Sequence, residues 1–241
     1  MFGKRVRIVV AAVVLAAVYF LFIQNQGRRY GSGGYPGQRG GRASRHEWPE
    51  RRGGNEPGAL RPGTAGQVIC ETQYFGEWRE PAEGACRARM RNGYPLPDPR
   101  CTPGGANPSV TLDVLRDPQW RTREVRNCAT SEAQKHVAYR WYGIEKPRIN
   151  SNENQVCELD HLVPLELGGA DGLGNIWPEC GPDGVTLNER YFKKKDHVEN
   201  YLADEVKAGR MPLEAAQRGI ASDWTQYLED AERWCAARGR C

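Results

Sequence analysis

The sequence predicts an α+β domain that follows an apolar N-terminal segment. Two short strand-like segments, at residues 156–165 and 175–180, flank a turn-rich loop, and helical segments follow them. All eight cysteines lie beyond the apolar segment and none forms a C-x-x-C pair, which favours disulfide bonds over a structural zinc site. Cys70 and Cys86 could close one small loop in the irregular segment 67–108, although spacing alone does not fix connectivity.

The N-terminal segment is a candidate membrane anchor. Residues 8–23 form an unbroken apolar run of 16 residues, which is slightly shorter than the ~20 residues of a typical spanning helix. No small-residue cleavage motif follows it closely, so we predict an uncleaved signal anchor over residues 1–27, with secretion after signal cleavage as the alternative. The basic residues before the run favour a cytoplasmic amino terminus. The expected location is the bacterial inner membrane, single-pass, with the C-terminal domain in the periplasm.

Composition divides the rest of the chain. Residues 28–66 are rich in Gly, Arg and Pro and poor in apolar residues, so we expect a flexible tether. The exported domain then covers residues 67–241, with its core at about 150–209. Residues 1–62 hold 11 Lys and Arg against 3 Asp and Glu, a net +8; the whole chain carries +4, so the remainder carries −4. The bulk charge of the domain therefore does not support nucleic-acid binding, and any such function must rest on a local site.

Helix-start signals occur four times in the domain. They predict helices that begin near Ser131, Thr186, Pro212 and Ser222. Ser131 and Thr186 each precede a Gln or Glu by three residues, which is a capping-box pattern. Glycines suited to the position after a last turn place the ends of these two helices at Gly143 and Gly209.

The strand, loop, strand and helix carry a recognisable pattern. DHLVPLELGG followed by GNIWPE resembles the HNH endonuclease superfamily, and the flanking RCTPGGANPSVT and KKKDHVENYL resemble a set of small exported bacterial HNH-like proteins. The resemblance covers about residues 97–230. It implies a ββα-metal fold, which is a hairpin-and-helix core, here with additional packing helices and a disulfide brace. It also implies hydrolysis of phosphodiester bonds, with DNA or RNA as the substrate.

The resemblance assigns roles to three residues of the two strands. His161, the histidine of the Asp-His pair, corresponds to the general base that takes a proton from water near pH 7. Asp160 corresponds to a ligand of a divalent metal ion; its hard oxygens suit Mg²⁺ or Mn²⁺, with Zn²⁺ as a further possibility. Asn175 corresponds to the asparagine that ties down the loop of the catalytic hairpin.

The third metal ligand departs from the family pattern. Family members usually supply a His or Asn from the start of the helix, and Asn188 is the simplest candidate for that ligand here. Asp196 and Glu199 lie one to three turns later and are the alternatives. Lys195, together with the two lysines before it, is expected to present positive charge beside the phosphate. The alternative for these lysines is a solvated helix face.

The cysteines at the two ends of the hairpin fit the same comparison. Many HNH proteins brace this hairpin with zinc held by two cysteine pairs, whereas this chain has only Cys157 and Cys180. We expect these two to form a disulfide that does the same work in an oxidising compartment. The alternative is that each pairs elsewhere.

Three functions are compatible with the sequence. The first is a membrane-tethered, metal-dependent endonuclease in which His161 and Asp160 have the roles above. The second is a catalytically inactive, disulfide-braced binding module of the cell envelope that keeps the hairpin. The third is a structural protein of the envelope carried by its anchor and tether. No protein partner can be identified from the sequence.

Overall fold

The computed structural model describes residues 68–239 and 241. The predicted signal anchor (1–27) and tether (28–66) lie outside these residues. In the described part, no helix is long and apolar enough to cross a membrane. This part contains three two-stranded antiparallel sheets, short helices and disulfide bonds, which confirms the predicted α+β class.

The elements are short except for one helix. The strands pair as β1 with β4, β2 with β3 and β5 with β6. Their bounds are β1 Gln73–Tyr74, β2 Arg89–Arg91, β3 Tyr94–Leu96, β4 Gly105–Ala106, β5 Cys157–His161 and β6 Ile176–Cys180. The helices are α1 Leu112–Arg116, α2 Glu132–Lys135, α3 Val137–Trp141, α4 Tyr191–Lys207, α5 Leu213–Asp223 and α6 Leu228–Arg238.

Strands β5 and β6 form the predicted hairpin. They are antiparallel, and their register pairs Cys157 with Cys180 at the open end and His161 with Ile176 at the loop end. The expected disulfide joins Cys157 to Cys180. The first strand is shorter than predicted, because Leu162 begins the loop that leads to β6. The bond therefore fixes the two strands at the end opposite to the loop.

The long helix α4 follows the hairpin but begins later than predicted. The capping box of Thr186 and Glu189 is present, yet it opens a 3₁₀ turn rather than an α-helix. Arg190 then has extended backbone angles (φ −64°, ψ 149°), so the α-helix can begin only at Tyr191. The helix ends at Lys207, two residues before Gly209, which has the left-handed φ of +75° that glycine tolerates.

The two helices after α4 supply the main packing layer. Val198 and Leu202 of α4 and Ile220 of α5 are fully buried in one apolar cluster with residues of α6. The prediction that Ser222 caps the last helix is wrong, because a 3₁₀ turn capped by Asp223 comes first and the α-helix begins only at Leu228. Asp223 accepts a hydrogen bond from the Thr225 amide at 3.0 Å and starts a 3₁₀ turn, and α6 follows that turn.

The region before the hairpin is irregular, as expected, but two details differ from the predictions. The capping box at Ser131 is present, while the helix breaks at His136, whose ψ of −16° is closer to a 3₁₀ than an α conformation. The small loop between Cys70 and Cys86 is not closed by a disulfide. Spacing did not reveal the partners: the bonds are Cys70–Cys128, Cys86–Cys101 and, at the other end of the domain, Cys235–Cys241.

Candidate functional site

The adjacent residues Asp160 and His161 face different surroundings. Successive side chains of a strand point to opposite faces, so the two cannot both face helix α4. The Asp160 carboxylate lies 2.7 Å from the ammonium of Lys195 in α4. The His161 ring instead lies 3.0 Å from Asp171 in the loop on the other side. The Asp-His pair thus forms two clusters, one on each face of the hairpin.

Lys195 is the centre of the first cluster. Its side chain is 1% exposed, and its ammonium donates hydrogen bonds to Glu199 Oε1 at 2.5 Å and to the His161 carbonyl at 2.9 Å. With the ion pair to Asp160 Oδ2, three oxygens surround an ammonium that has three hydrogens. Burial by itself would lower the pKa of Lys195, but the charges of Asp160 and Glu199 outweigh burial and raise it above its ordinary value. The lysine is therefore charged.

Glu179 adds a second buried carboxyl group to this cluster. It stands opposite Glu158 in the hairpin register and is 0% exposed. Neither of its carboxyl oxygens has a hydrogen-bond partner among the described residues. Burial raises its pKa well above the ordinary value, and the charge of Asp160 acts in the same direction. Glu179 is thus a buried acid whose carboxyl oxygens accept no hydrogen bond from the described residues.

The exposed edge of the cluster is formed by α4. Asp196, a predicted metal ligand, pairs with Lys193 at 2.6 Å, and the two side chains are about one-third exposed. Asn188, the other predicted ligand, lies exposed in the 3₁₀ turn before α4. No hydrogen bond joins Asn188 to Asp160 within the described part of the chain. Lys195 is buried rather than displayed, so only the two preceding lysines reach the surface.

The residues around Asp160 do not fit a divalent cation. A cation bound to Asp160 would share its carboxylate with a buried ammonium 2.7 Å away, and the two positive charges would repel each other. In the described residues Asp160 also joins no group of three His, Cys, Asp or Glu side chains with ligand atoms within 4.8 Å of one another. The cation predicted at Asp160 therefore stays a prediction. In this structure the charge of Asp160 is balanced by the Lys195 ammonium.

One ligand-like group does occur elsewhere among the described residues. It consists of His197, Cys235 and Cys241, whose nitrogen and sulfur atoms lie within 4.8 Å of one another. The two cysteines are bonded to each other. Because a metal is bound by thiolates, this group is not a metal site while the disulfide is intact.

The second cluster surrounds His161. Its side chain is 7% exposed, and Nε2 lies 3.0 Å from Asp171 Oδ1, which is fully buried. The same oxygen accepts a hydrogen bond from Lys135 Nζ at 2.6 Å, and Asp171 Oδ2 accepts one from the Thr130 amide at 3.2 Å. Burial would raise the pKa of Asp171, but the hydrogen bonds from His161 and Lys135 outweigh it and lower the pKa. Asp171 is therefore an ionised acceptor.

These contacts fix the protonation of His161. An ionised carboxylate only accepts hydrogen bonds, so Nε2 carries the proton that points to Asp171. Burial lowers the pKa of His161 and the charge of Lys135 lowers it further, while the hydrogen bond to Asp171 acts against both. The ring is then neutral near pH 7, with the lone pair on Nδ1. No hydrogen bond joins Nδ1 to another described residue. His161 consequently has the tautomer that a general base requires.

Asn175 holds the loop that carries Asp171. Its amide nitrogen donates to the carbonyls of Val163 (2.9 Å) and Ala170 (2.8 Å). Its amide oxygen accepts hydrogen bonds from the amides of Val163 (2.9 Å) and Gly105 (3.3 Å). The side chain is 0% exposed, and all four partners are backbone groups. This agrees with a loop-tying role and leaves Asn175 no free atom for a substrate.

The same loop requires a glycine beside this tie. A Cβ on Gly169 would lie 1.8 Å from the Val163 carbonyl oxygen, a distance that no side chain can adopt. The backbone of the loop therefore passes closer to Val163 than any other residue would permit.

Three members of the two clusters were not among the predicted site residues. Asp171 lies in a DG step that reads as a turn, and Lys135 lies 36 residues before its partner, so no local pattern joins them. Glu179 sits between Pro178 and the bonded Cys180, where nothing in the sequence marks it as buried. We found no match to this chain among protein-family models, curated proteins or solved structures.

Proposed function

We propose that this chain hydrolyses phosphodiester bonds in nucleic acids, with His161 as the general base. The observation that carries the proposal is the His161–Asp171 pair, which is held in a hairpin that a long helix follows. The sequence resemblance to HNH endonucleases adds to it, because the ββα-metal fold of that family has the same order of elements. The finer fold assignment, like the activity, is part of this proposal.

The chemistry assigned to the chain's own residues is limited to proton transfer and orientation. His161 Nδ1 accepts a proton from a water molecule as the water oxygen bonds to phosphorus. The bond from phosphorus to the departing sugar oxygen breaks, and that oxygen takes a proton from solvent. Asp171 holds the ring orientation and stabilises the imidazolium that forms. Lys135 keeps Asp171 ionised through its contact at 2.6 Å.

Positive charge for the phosphate comes from the exposed side of α4. Lys193 and Lys194 are about 30% exposed, and their partners Asp196 and Glu232 are also partly exposed. Ion pairs in such positions are weak, so a phosphate can replace the carboxylates as partner. Because α4 lies on the face of the hairpin opposite to the His161 ring, the start of α4 is the surface that binds phosphates next to the one that is cleaved.

A non-catalytic binding module is the second candidate. Two observations favour it: Asp160 is neutralised by Lys195, and the His161 side chain is only 7% exposed. In this alternative both clusters stabilise the hairpin, and nucleic acid is bound without being cut. The structural-protein reading has no comparable support.

Cleavage assays separate the two candidates. The purified full-length chain is incubated with supercoiled plasmid and with a labelled single-stranded RNA, and His161→Gln is compared with wild type. We expect His161→Gln to lower the cleavage rate by about 10²–10⁴-fold. His136→Gln is the matched control, because His136 is a half-buried histidine that contacts Lys146 rather than Asp171. Equal rates for His161→Gln and wild type would contradict the assignment, and binding without cleavage by wild type would establish the alternative.

A further inference from the structure

A lysine ammonium contacts Asp160 where the resemblance implies a divalent metal ion. Lys195 comes from α4, the helix from which family members supply a metal ligand, and its ammonium contacts the predicted ligand Asp160 at 2.7 Å. It also bonds Glu199, which was an alternative metal ligand, at 2.5 Å. The lysine thus connects Asp160, the metal ligand that the resemblance implies, with Glu199, one of the alternatives for the third ligand.

The Lys195 ammonium has three defined oxygen partners and is enclosed by protein. The three oxygens around Nζ belong to β5 and α4: the Asp160 carboxylate, the His161 carbonyl and the Glu199 carboxylate. An exposed lysine would exchange such partners with water, but this side chain is 1% exposed. Its two carboxylate partners are 11% and 12% exposed. The ammonium therefore joins the strand to the helix as a permanent, enclosed cation.

The two carboxylates in contact with Lys195 supply the negative charge that this lysine offsets. The neighbouring Glu179 is fully buried, and because burial raises its pKa it adds little negative charge. Without Lys195, the oxygens of Asp160, Glu199 and the His161 carbonyl would surround a position that holds no positive charge. Such a set of hard oxygen donors is the environment that Mg²⁺ or Mn²⁺ binds.

We propose that Lys195 is a built-in replacement for the divalent cation of this site. The wild-type chain then binds no metal ion at Asp160, and removing the ammonium exposes a latent metal site made by the three oxygens that surround Nζ, which belong to the Asp160 carboxylate, the Glu199 carboxylate and the His161 carbonyl. The consequence for catalysis rests on the proposed function: if the chain is a hydrolase, cleavage by His161 proceeds without a divalent cation. Lys195 acts as a positioning residue, because it is enclosed and touches no substrate.

Manganese binding tests the inference without any assay of activity. Mn²⁺ is titrated into the full-length wild type, Lys195→Met and Lys194→Met, and free ion is followed by electron paramagnetic resonance. Methionine keeps an unbranched apolar stem, is one atom shorter than lysine and removes the charge. We expect Lys195→Met to gain a Mn²⁺ site at least about tenfold tighter than any in wild type, because a positive charge in contact with the ligands is lost. Lys194→Met should bind as wild type does, since Lys194 is partly exposed and only approaches Glu232 at 3.7 Å.

Further variants assign the new site. Asp160→Asn in the Lys195→Met background should abolish the gained binding, and added Mn²⁺ should raise the melting temperature of Lys195→Met alone. A wild-type chain that binds Mn²⁺ and loses this binding in Asp160→Asn would overturn the inference. That comparison needs only wild type and Asp160→Asn, so it remains decisive if Lys195→Met fails to fold.

Cleavage in excess chelator separates this inference from the proposed function. Undiminished cleavage in chelator supports both. Cleavage that requires Mg²⁺ or Mn²⁺ keeps the hydrolase and overturns the role of Lys195. Absence of cleavage under all conditions removes the hydrolase, and the Mn²⁺ titration then decides about Lys195 alone.

Discussion

Replacing Asp171 by asparagine removes one negative charge from an enclosed cluster while keeping the volume of the side chain. Asp171 is 0% exposed and receives hydrogen bonds from Lys135 Nζ at 2.6 Å and from the Thr130 amide at 3.2 Å. Lys135 is 2% exposed, and its other partner, the side-chain amide oxygen of Asn127, is neutral. In the Asp171→Asn variant Lys135 is therefore left as a buried charge without a counter-charge.

The magnitude follows from the burial of both partners. Removing one partner of a buried ion pair costs about 3–5 kcal/mol of stability, whereas the whole domain is typically stable by ~5–15 kcal/mol. Because both side chains are enclosed, no reduction for solvent screening applies. For a domain of this size each kcal/mol lowers the melting temperature by about 2–4 °C, so we expect a decrease of roughly 10 °C.

Urea unfolding of four chains measures the effect. They are wild type, Asp171→Asn, Lys135→Met and the double variant. The double variant should be more stable than Asp171→Asn alone, because methionine fills the space of the lysine without its charge. Asp183→Asn is the control: Asp183 is 99% exposed and lies 3.9 Å from Arg190, so its loss should be nearly neutral.

Two results would refute the reasoning. The first is an Asp171→Asn variant that unfolds at the same urea concentration as the Asp183→Asn control. The second is a double variant as unstable as the sum of the two single variants, because additivity would show that Lys135 and Asp171 do not interact. Either result would also remove the support that Asp171 gives to the assigned tautomer of His161.

Three further predictions concern the hairpin. Burial and the charge of Asp160 raise the pKa of Glu158 to about 7, so the folded chain binds a proton that the unfolded chain has released, and stability falls as pH rises from ~4.5 to ~7. In Glu158→Gln this pH-dependent loss of unfolding free energy should be smaller by up to ~3 kcal/mol. Denaturant unfolding of wild type and variant at pH 5 and pH 8 measures it, and an equal loss of stability in the two chains would contradict the prediction. Asn175→Ala should lower stability by about 2–4 kcal/mol, because four hydrogen bonds to buried backbone are lost, and unchanged thermal unfolding would exclude its tying role. Replacing Cys157 and Cys180 by serine should cost roughly 3 kcal/mol in denaturant unfolding, and an unaltered midpoint would show that the brace is not needed.

Local signals were sufficient for the order of the main elements but not for their exact bounds or their contacts. The strand pattern placed β5 and β6, and the cysteines at their ends paired as expected, because a hairpin brings the two positions together. The start of α6 was misplaced because the cap signal near Ser222 belongs to a 3₁₀ turn, which Asp223 caps and which α6 follows. Lys195 was expected to present positive charge beside the phosphate, with a solvated helix face as the alternative, and it is instead buried. Its burial depends on Glu199 four residues later and on Asp160 in the hairpin.

The resemblance places the adjacent residues Asp160 and His161 in one catalytic site, whereas in the structure they belong to two different clusters. A strand sends neighbouring side chains to opposite faces, so one dipeptide contributes to two separate clusters. On one face Asp160 meets Lys195, and on the other His161 meets Asp171 and, through it, Lys135. Each cluster contains a buried lysine that neutralises an aspartate. The His161 carbonyl connects them, because it accepts the Lys195 hydrogen bond at 2.9 Å while its own side chain faces Asp171. A change of charge on the helix side is thus expected to reach the histidine through its own backbone.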